Sequence, residues 1–335
     1  MNERPKPEKP SASRAQTGLK PATLVVIIAS LGRPAVLAET VGHLERQTRK
    51  PDLVILSLVE EDDAPRGSCF SFEMRTVFGP KGLARQRNTG MDAALPGADI
   101  ITFFDDDFVP ADNYLARVEE AFALHPDYAA IHGNVVADGI GGTGLSFDDA
   151  CRELEAARGL SESEAPTIRR DATTYGCNMS FRMNKSTDWM RFDERLELYA
   201  WQEDRDFSFR VGQTGSVMWM SNIVGVHLGT KGGRVNGLRM GYSQIVNPVY
   251  LMRKGTMPVA DAVRLMSRNI LANVAKSFHP EPWVDRKGRL KGNIIGFSHV
   301  VLGRIEPERV LELSSATASA DPTSFDDQKM KEVGR

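Results

Sequence analysis

The stretch Ala98–Pro110 reads ADIITFFDDDFVP. Apolar, strand-forming residues run straight into three consecutive carboxylates, Asp105, Asp106 and Asp107. Three like charges side by side repel unless water, a cation or a bound partner relieves them. Carboxylate oxygens are hard ligands suited to Mg2+ or Mn2+, ions that commonly bridge a protein to phosphates. An acidic surface turn would have the same composition, but the position at the end of a buried strand favours metal binding.

The same strand character recurs upstream. ATLVVIIAS, from Ala22 to Ser30, is a continuous apolar run rich in β-branched residues, as expected of a strand buried on both faces. Pro34 can open a helix that carries Leu37, Val41 and Leu44 on one face. DLVILSLV reads as a second buried strand, EMRTVF as a third, and GLARQRNTGMDAAL as a helix ahead of the Asp-bearing strand. This alternation predicts an α/β fold with a mostly parallel central sheet flanked by helices. Ligands in such sheets sit beyond the carboxyl ends of the strands. The Ser30 loop, the Glu60–Asp63 loop and the Asp105–Asp107 loop all fall on that edge.

Downstream, YAAIHGNVV and TTYGCNMSFR read as strands, separated by a polar segment from Ala137 to Arg170 that is expected to be mobile. FDERLELYAWQEDRDFSFRVGQTG turns into a helix ending at Gly212 or Gly215, and helical patterns dominate from Asn236 to Leu313. Glu203, Asp204 and Asp206 open the first of these helices. Acids in a first turn favour the helix dipole. Paired with the upstream Asp cluster, they also supply a metal site and a separate carboxylate base, as transfer from a nucleotide diphosphate requires.

Bulk properties narrow the class. The chain has 335 residues, 41% hydrophobic and 26% charged, ordinary values for a globular protein. A formal net charge of −2 gives no electrostatic case for nucleic acid as a partner. Cys69, Cys151 and Cys177 are widely spaced and odd in number, which reads as reduced thiols in a cytoplasmic protein. Residues 1–20 and 314–335 read as disordered tails, the first without the apolar core of a signal peptide. No apolar run approaches the roughly 20 residues that cross a bilayer. The expected location is cytoplasmic, with peripheral contact on the inner face of the membrane left open. PVADAVRLMSRNILANVAKSF places Val259, Val263, Met266, Ile270, Val274 and Phe278 at helical spacing, with Arg264, Arg268 and Lys276 on other faces. Such a helix lies on anionic lipid or packs its apolar face on the catalytic domain, the second being preferred.

The combination resembles glycosyltransferase family 2, the inverting sugar-nucleotide transferases of the GT-A fold. VVIIASLGRPAVLAETVGHLERQTRKPDLVIL is similar to that family's opening strand, Arg-bearing loop and helix. GLARQRNTGMDAALPGADIITFFDDDFVP resembles its Arg-Asn-x-Gly helix and D-x-D strand, and GCNMSFR, the Glu-Asp block and His227 follow in the family's order. The resemblance covers Thr23 to His227. It implies a GT-A domain over 21–233 and a C-terminal helical extension over 234–313. DRKGRLKGNIIGFSHVVLGRIEPERV is more distantly similar to the tail of bacterial exopolysaccharide transferases.

The resemblance implies roles by position. Asp107 matches the direct ligand of Mn2+ or Mg2+, Asp105 lies nearer the ribose or a metal-bound water, and Asp106 stands between them. Asp204, beside Glu203, matches the general base, and His227 a late histidine that completes the metal or diphosphate site. Ala29, Ser30 and Arg33 of the first loop, Arg87 and Asn88 of the flanking helix, and Lys81 or Arg85 match the nucleotide-binding side. Asn178 lies in the segment that shapes the sugar pocket. The donor would be a nucleotide diphosphate sugar, UDP-linked as first expectation with dTDP-rhamnose or a GDP-sugar as alternatives, and the acceptor a glycan or lipid-linked glycan. Two positions depart from the pattern. Ser57 and Leu58 stand where an Asp commonly reads the base, the acids coming later with Glu61 the candidate, and Leu31 replaces an aromatic. A non-catalytic sugar-nucleotide-binding module and a haloacid-dehalogenase-like phosphatase, for which DDDFV fits D-x-D-x-V, are the rival readings.

Overall fold

A computed structural model describes residues 22–65, 69–95, 97–187, 189–231 and 236–313. The two expected tails, and the boundary between 233 and 234, lie outside the described residues. Strand β1 (Leu24–Ala29) is followed by helix α1 (Pro34–His43), with Pro34 at its first turn as its fixed φ favours. β2 (Leu53–Leu58), β3 (Glu73–Phe78), α2 (Leu83–Ala94) and β4 (Ile100–Asp105) complete the parallel part of the sheet, in spatial order β3-β2-β1-β4. β1 sends Val25 and Ile27 into one apolar layer and Leu24, Val26 and Ile28 into the other. A strand covered on both faces has no polar side to alternate with, which is why its sequence is continuously apolar. Gly90 of α2 lets that helix lie directly on β1, since a Cβ there would stand 2.5 Å from Ile27 Cγ2.

Beyond β4 the sheet becomes mixed. β5 (Phe108–Pro110), α3 (Tyr114–Leu124) and β6 (Tyr128–Asp138) precede β8 (Asn178–Arg182), which inserts antiparallel between β4 and β6. β9 (Ser216–His227) runs parallel to β6 and antiparallel to β5, so that Phe108 faces His227 across the ladder. The polar segment Ala137–Arg170 is not irregular throughout. It contains α4 (Phe147–Ala156), α5 (Arg158–Ser161) and β7 (Ile168–Arg170), and β7 pairs with β9. α4 starts at a reciprocal Ser146–Asp149 capping box and packs Phe147, Ala150 and Leu154, spaced three and four apart, against Val109, Val226 and Leu228.

α6 (Glu203–Val211) ends at Gly212 as its sequence predicts. α7 (Gly237–Lys254), α8 (Val259–Lys276) and α9 (Arg286–Val301) form the C-terminal extension. α7 is fastened to the sheet domain: Asn247 donates to Trp201 O at 3.0 Å, and Lys254 pairs with buried Asp206 at 2.9 Å. Asp206 thereby has a structural task separate from Glu203 and Asp204. The preferred reading of α8 is corrected. Its stripe of Val259, Val263, Val274 and Phe278 faces away from the domain, and the helix buries Ala262 and Asn273 instead. No described helix is long and apolar enough to cross a membrane.

Candidate active site

β1 and β4 are neighbours in register, with Ala29 beside Asp105, so the first loop and the three carboxylates emerge together. Gly32 takes a φ of +70° at the bend that turns Arg33 back toward them. Asp106 is fully buried, accepts from Ser30 Oγ at 2.6 Å and ion-pairs with Arg33. Burial pushes its carboxyl up to about 7 despite Arg33. It is an anchor of the loop; of its two neighbours, Asp107 is buried as well and Asp105 is the part-exposed one.

Those neighbours differ sharply. Asp107 accepts from the Thr230 N–H at 2.7 Å and lies 3.4 Å from His227 Nε2. Burial opposes its ionisation, but His227, Arg33 and the Thr230 amide outweigh that and hold it at about 2. Asp105 is raised by burial, with Arg87 pulling the other way. The other nitrogen of His227, Nδ1, lies 2.9 Å from Asp138 Oδ1, and Asp138 also accepts from Tyr175 OH at 2.7 Å. Burial lowers the pKa of this imidazole, yet the two carboxylates lift it to about 10. A histidine fixed at one nitrogen by a carboxylate and offering the other to an acidic cluster has the arrangement of a metal ligand with its outer partner. Asp105, Asp107 and His227 each offer one ligand atom, all within 4.8 Å of one another. This O,O,N donor set fits a hard or borderline divalent ion such as Mg2+ or Mn2+.

Arg87 connects this cluster to the second acidic block. Its guanidinium is buried, donates to Asp105 Oδ1 at 3.0 Å and to Gly176 O at 2.9 Å, and ion-pairs with Glu203. The two acidic blocks, distant in sequence, therefore border one site. Burial raises the Glu203 carboxyl, with Arg87 opposing. Asp204 is also raised by burial, while hydrogen bonds from the N–H groups of Gly176 (3.1 Å) and Arg205 (2.8 Å) restrain the shift. Glu203 is committed to Arg87; Asp204 is held only by backbone amides.

The loop that delivers these acids is strained. Leu198, Ala200 and Gln202 adopt φ of 60°, 50° and 76°, left-handed values costing non-glycine residues roughly 1–2 kcal/mol each. Hydrogen bonds of 2.9 Å from Leu83 N to Leu198 O and from Glu203 N to Ala200 O pin the loop. Such strain, held by surrounding bonds, is characteristic of functional segments.

A cleft of about 400 Å3 opens against this edge, lined among others by Ser30, Arg33, Lys81, Asp105, Asp106 and Tyr199. Ala29 also lines it, as the sequence suggests. Other expectations are placed elsewhere. Glu61 is exposed and outside the cleft lining; buried Asp63, two residues on, accepts from Gly32 N and ties the second loop to the first. Asn88 is buried on the far side of α2, donating to Phe192 O and Glu194, and its spacing from Arg87 by one residue turns it off the cleft. Arg85 is paired with Glu197 at 2.5 Å. Asn178 is fully buried opposite Phe104 and does not line the cleft. Sequence reasoning missed Asp138, the Thr230 amide and Tyr199. Asp138 carried the same signal as Asp105, an acid closing a buried strand. A backbone amide carries none.

Against known proteins, the model of the family "Glycosyl transferase family 2" matches residues 25–146. No curated protein matches the chain. Among solved structures, S. aureus TarS is 13% identical over 77% of this chain and 44% of its own, with a TM-score of 0.46. The chain thus spans less than half the length of that protein. The mannosyltransferase PcManGT from Pyrobaculum calidifontis, solved in complex with GDP-Man and Mn2+, is 14% identical over 87% of this chain and 83% of its own, with a TM-score of 0.46. S. aureus TarS 1–349 is 11% identical over 87% and 90%, with a TM-score of 0.48.

Proposed function

We propose, from the premise that residues 25–146 carry a glycosyl transferase family 2 domain, that the chain is a metal-dependent inverting glycosyltransferase. It would move a sugar from a nucleotide diphosphate, UDP-linked as first choice, to a hydroxyl of a glycan or lipid-linked glycan. The observation that carries this reading is the bridge through Arg87, which pairs with Asp105 of the Asp105–Asp107–His227 cluster and with Glu203 beside Asp204, Asp105 being the member of these groups that lines the cleft. Asp105, Asp107 and His227 would hold the divalent ion, which when bound supplies positive charge to a departing diphosphate.

The chain's own groups do the rest. Lys81 is exposed on the cleft wall and can meet phosphate charge. Asp204 takes the proton of the acceptor hydroxyl as its oxygen bonds to the anomeric carbon and the bond to the diphosphate oxygen breaks. Its burial-raised pKa makes it a better base than a free carboxylate. Glu203, locked to Arg87, holds the helix start in place. Tyr199, half exposed in the cleft, offers the aromatic face that Leu31 lacks.

A thermal-shift screen of nucleotide sugars with and without Mn2+ tests the proposal. Stabilisation that requires both a nucleotide sugar and the ion supports it. Stabilisation by no nucleotide under either condition overturns it, and binding without any transfer to any acceptor would leave only a sugar-nucleotide-binding module.

A further inference from the structure

The C-terminal helices are packed inside out. Where α7 and α9 come closest, glycines permit the backbone approach beside a small apolar contact of Tyr242 and Val246 with Ile295 and Val300: a Cβ on Gly241 would stand 2.0 Å from Arg289 O, and one on Gly292 would stand 2.1 Å from Leu238 O. Where α8 joins them the contact is amide against amide, with buried Asn273 donating to Gln244 and to Asn293 at 2.9 Å each. Leu265, Ile295 and Val300 pack inward, but many of the large apolar side chains point the other way. On α9, Ile294, Phe297 and Val301 are 65%, 59% and 70% exposed, and on α8 and just beyond it Leu271 and Phe278 are 67% and 79% exposed. A helix seated only in water buries its Leu, Ile and Phe and leaves Gly and Asn outside. Small residues and hydrogen-bonded amides inside, with bulky apolar residues outside, is how helices pack when an apolar phase lies on their outer side.

The charges identify that phase. From Val259 to Arg304 the chain has eight basic residues and three acidic ones, against a net charge of −2 for the whole protein. All three acids are engaged: Asp261 with Arg205, Glu281 with Lys276 and Arg286, and Asp285 at the start of α9. Arg264, Arg268, Lys287, Lys291 and Arg304 are exposed, with no acidic partner among the described residues. A second copy meeting this face about a two-fold axis would bring like charges together. Anionic lipid headgroups would neutralise them while the apolar side chains enter the acyl boundary.

We propose that the outer faces of α8 and α9 form an interfacial membrane-docking surface for anionic bilayers. Neither helix spans the bilayer; both lie in its surface. α7 carries them and contributes Arg239 to the cleft wall, so docking would set the cleft at a fixed attitude to the lipid. This goes beyond the transferase reading and needs neither donor nor ion.

The test is flotation of the full chain with phosphatidylcholine vesicles, with and without about 30 mol% phosphatidylglycerol, at moderate salt. The chain is expected to float with the anionic vesicles and to lose affinity as salt rises. The double variant Ile294→Glu and Phe297→Glu should bind at least tenfold more weakly, and Lys287→Gln with Lys291→Gln roughly thirty-fold more weakly. All four side chains are outside the packed interfaces, so an unchanged melting temperature confirms that the variants are folded. No flotation on anionic vesicles, or equal flotation of wild type and variants, overturns the proposal. So does a wild-type dimer that the Ile294→Glu, Phe297→Glu variant splits, which would assign the face to a second copy. Either failure leaves metal-dependent nucleotide binding, measured without vesicles, as it was.

Discussion

The imidazole of His227 makes metal affinity a function of pH, with a slope that can be calculated. In the metal-free protein Asp107 and Asp138 hold this group protonated up to about 10, against an ordinary value of 6.5. A ligand to a divalent ion must be unprotonated, so binding expels the proton. At pH 7 that expulsion costs about 4 kcal/mol, and each unit of rising pH returns about 1.4 kcal/mol, a tenfold gain in affinity. The folding linkage has the opposite sign. A histidine with a raised folded pKa stabilises the metal-free fold fully below pH 6.5, and this stabilisation is lost as pH rises through about 10. The metal-free melting temperature should therefore lose this contribution over that window while the shift produced by Mn2+ grows. Calorimetric titration with Mn2+ under argon, at several pH values between neutral and about 9 and in buffers of different ionisation enthalpy, should count close to one proton released per ion. His227→Gln should bind more weakly and release close to none. A flat affinity profile in the wild type, or an unchanged slope in His227→Gln, would refute the assignment.

Other substitutions test the remaining parts. Asp204→Asn should lower kcat by roughly 10²–10⁴-fold with nucleotide and metal affinity little changed, read by coupled product assay and titration; full activity would remove Asp204 as the base. Arg87→Leu strands the buried Glu203 and should cost about 3–5 kcal/mol in urea unfolding, and a near-neutral result would mean that the pairing with Glu203 and Asp105 contributes little. Asp138→Ala frees Nδ1 of His227 and should weaken Mn2+ binding about 10–100-fold at constant fold, as judged by circular dichroism. Equal affinity would show that Asp138 does not support the ligand.

The strand–helix alternation, the buried character of β1, β2 and β4, and the emergence of Asp105–Asp107 at a strand end were legible because each is a local property. A strand covered on both faces is apolar at nearly every position, Ser57 and Thr102 being hydrogen-bonded exceptions, and a run of acids marks where it ends. The start and stop of α6 were equally local, a cluster of acids at one end and Gly212 at the other. The amphipathic period of α8 was legible as well, but a period gives the existence of an apolar face and not its orientation. Whether that face meets protein or solvent depends on which surface α7 offers, and α7 offers glycines and amides.

What only the tertiary structure decided is which charges meet. Arg87 reaches Asp105 and Glu203 because β8 inserts beside β4 and brings Gly176 and the start of α6 against α2. Asp138 reaches His227 because β6 and β9 run parallel and end level with each other. Asp63 rather than Glu61 meets the first loop because a short 3-10 turn, Glu61–Asp63, leaves Glu61 and Asp62 exposed and turns only Asp63 inward. Side-chain chemistry is written residue by residue along the chain. Long-range pairing is set by strand order, and the free energy that fixes strand order is shared across the whole core.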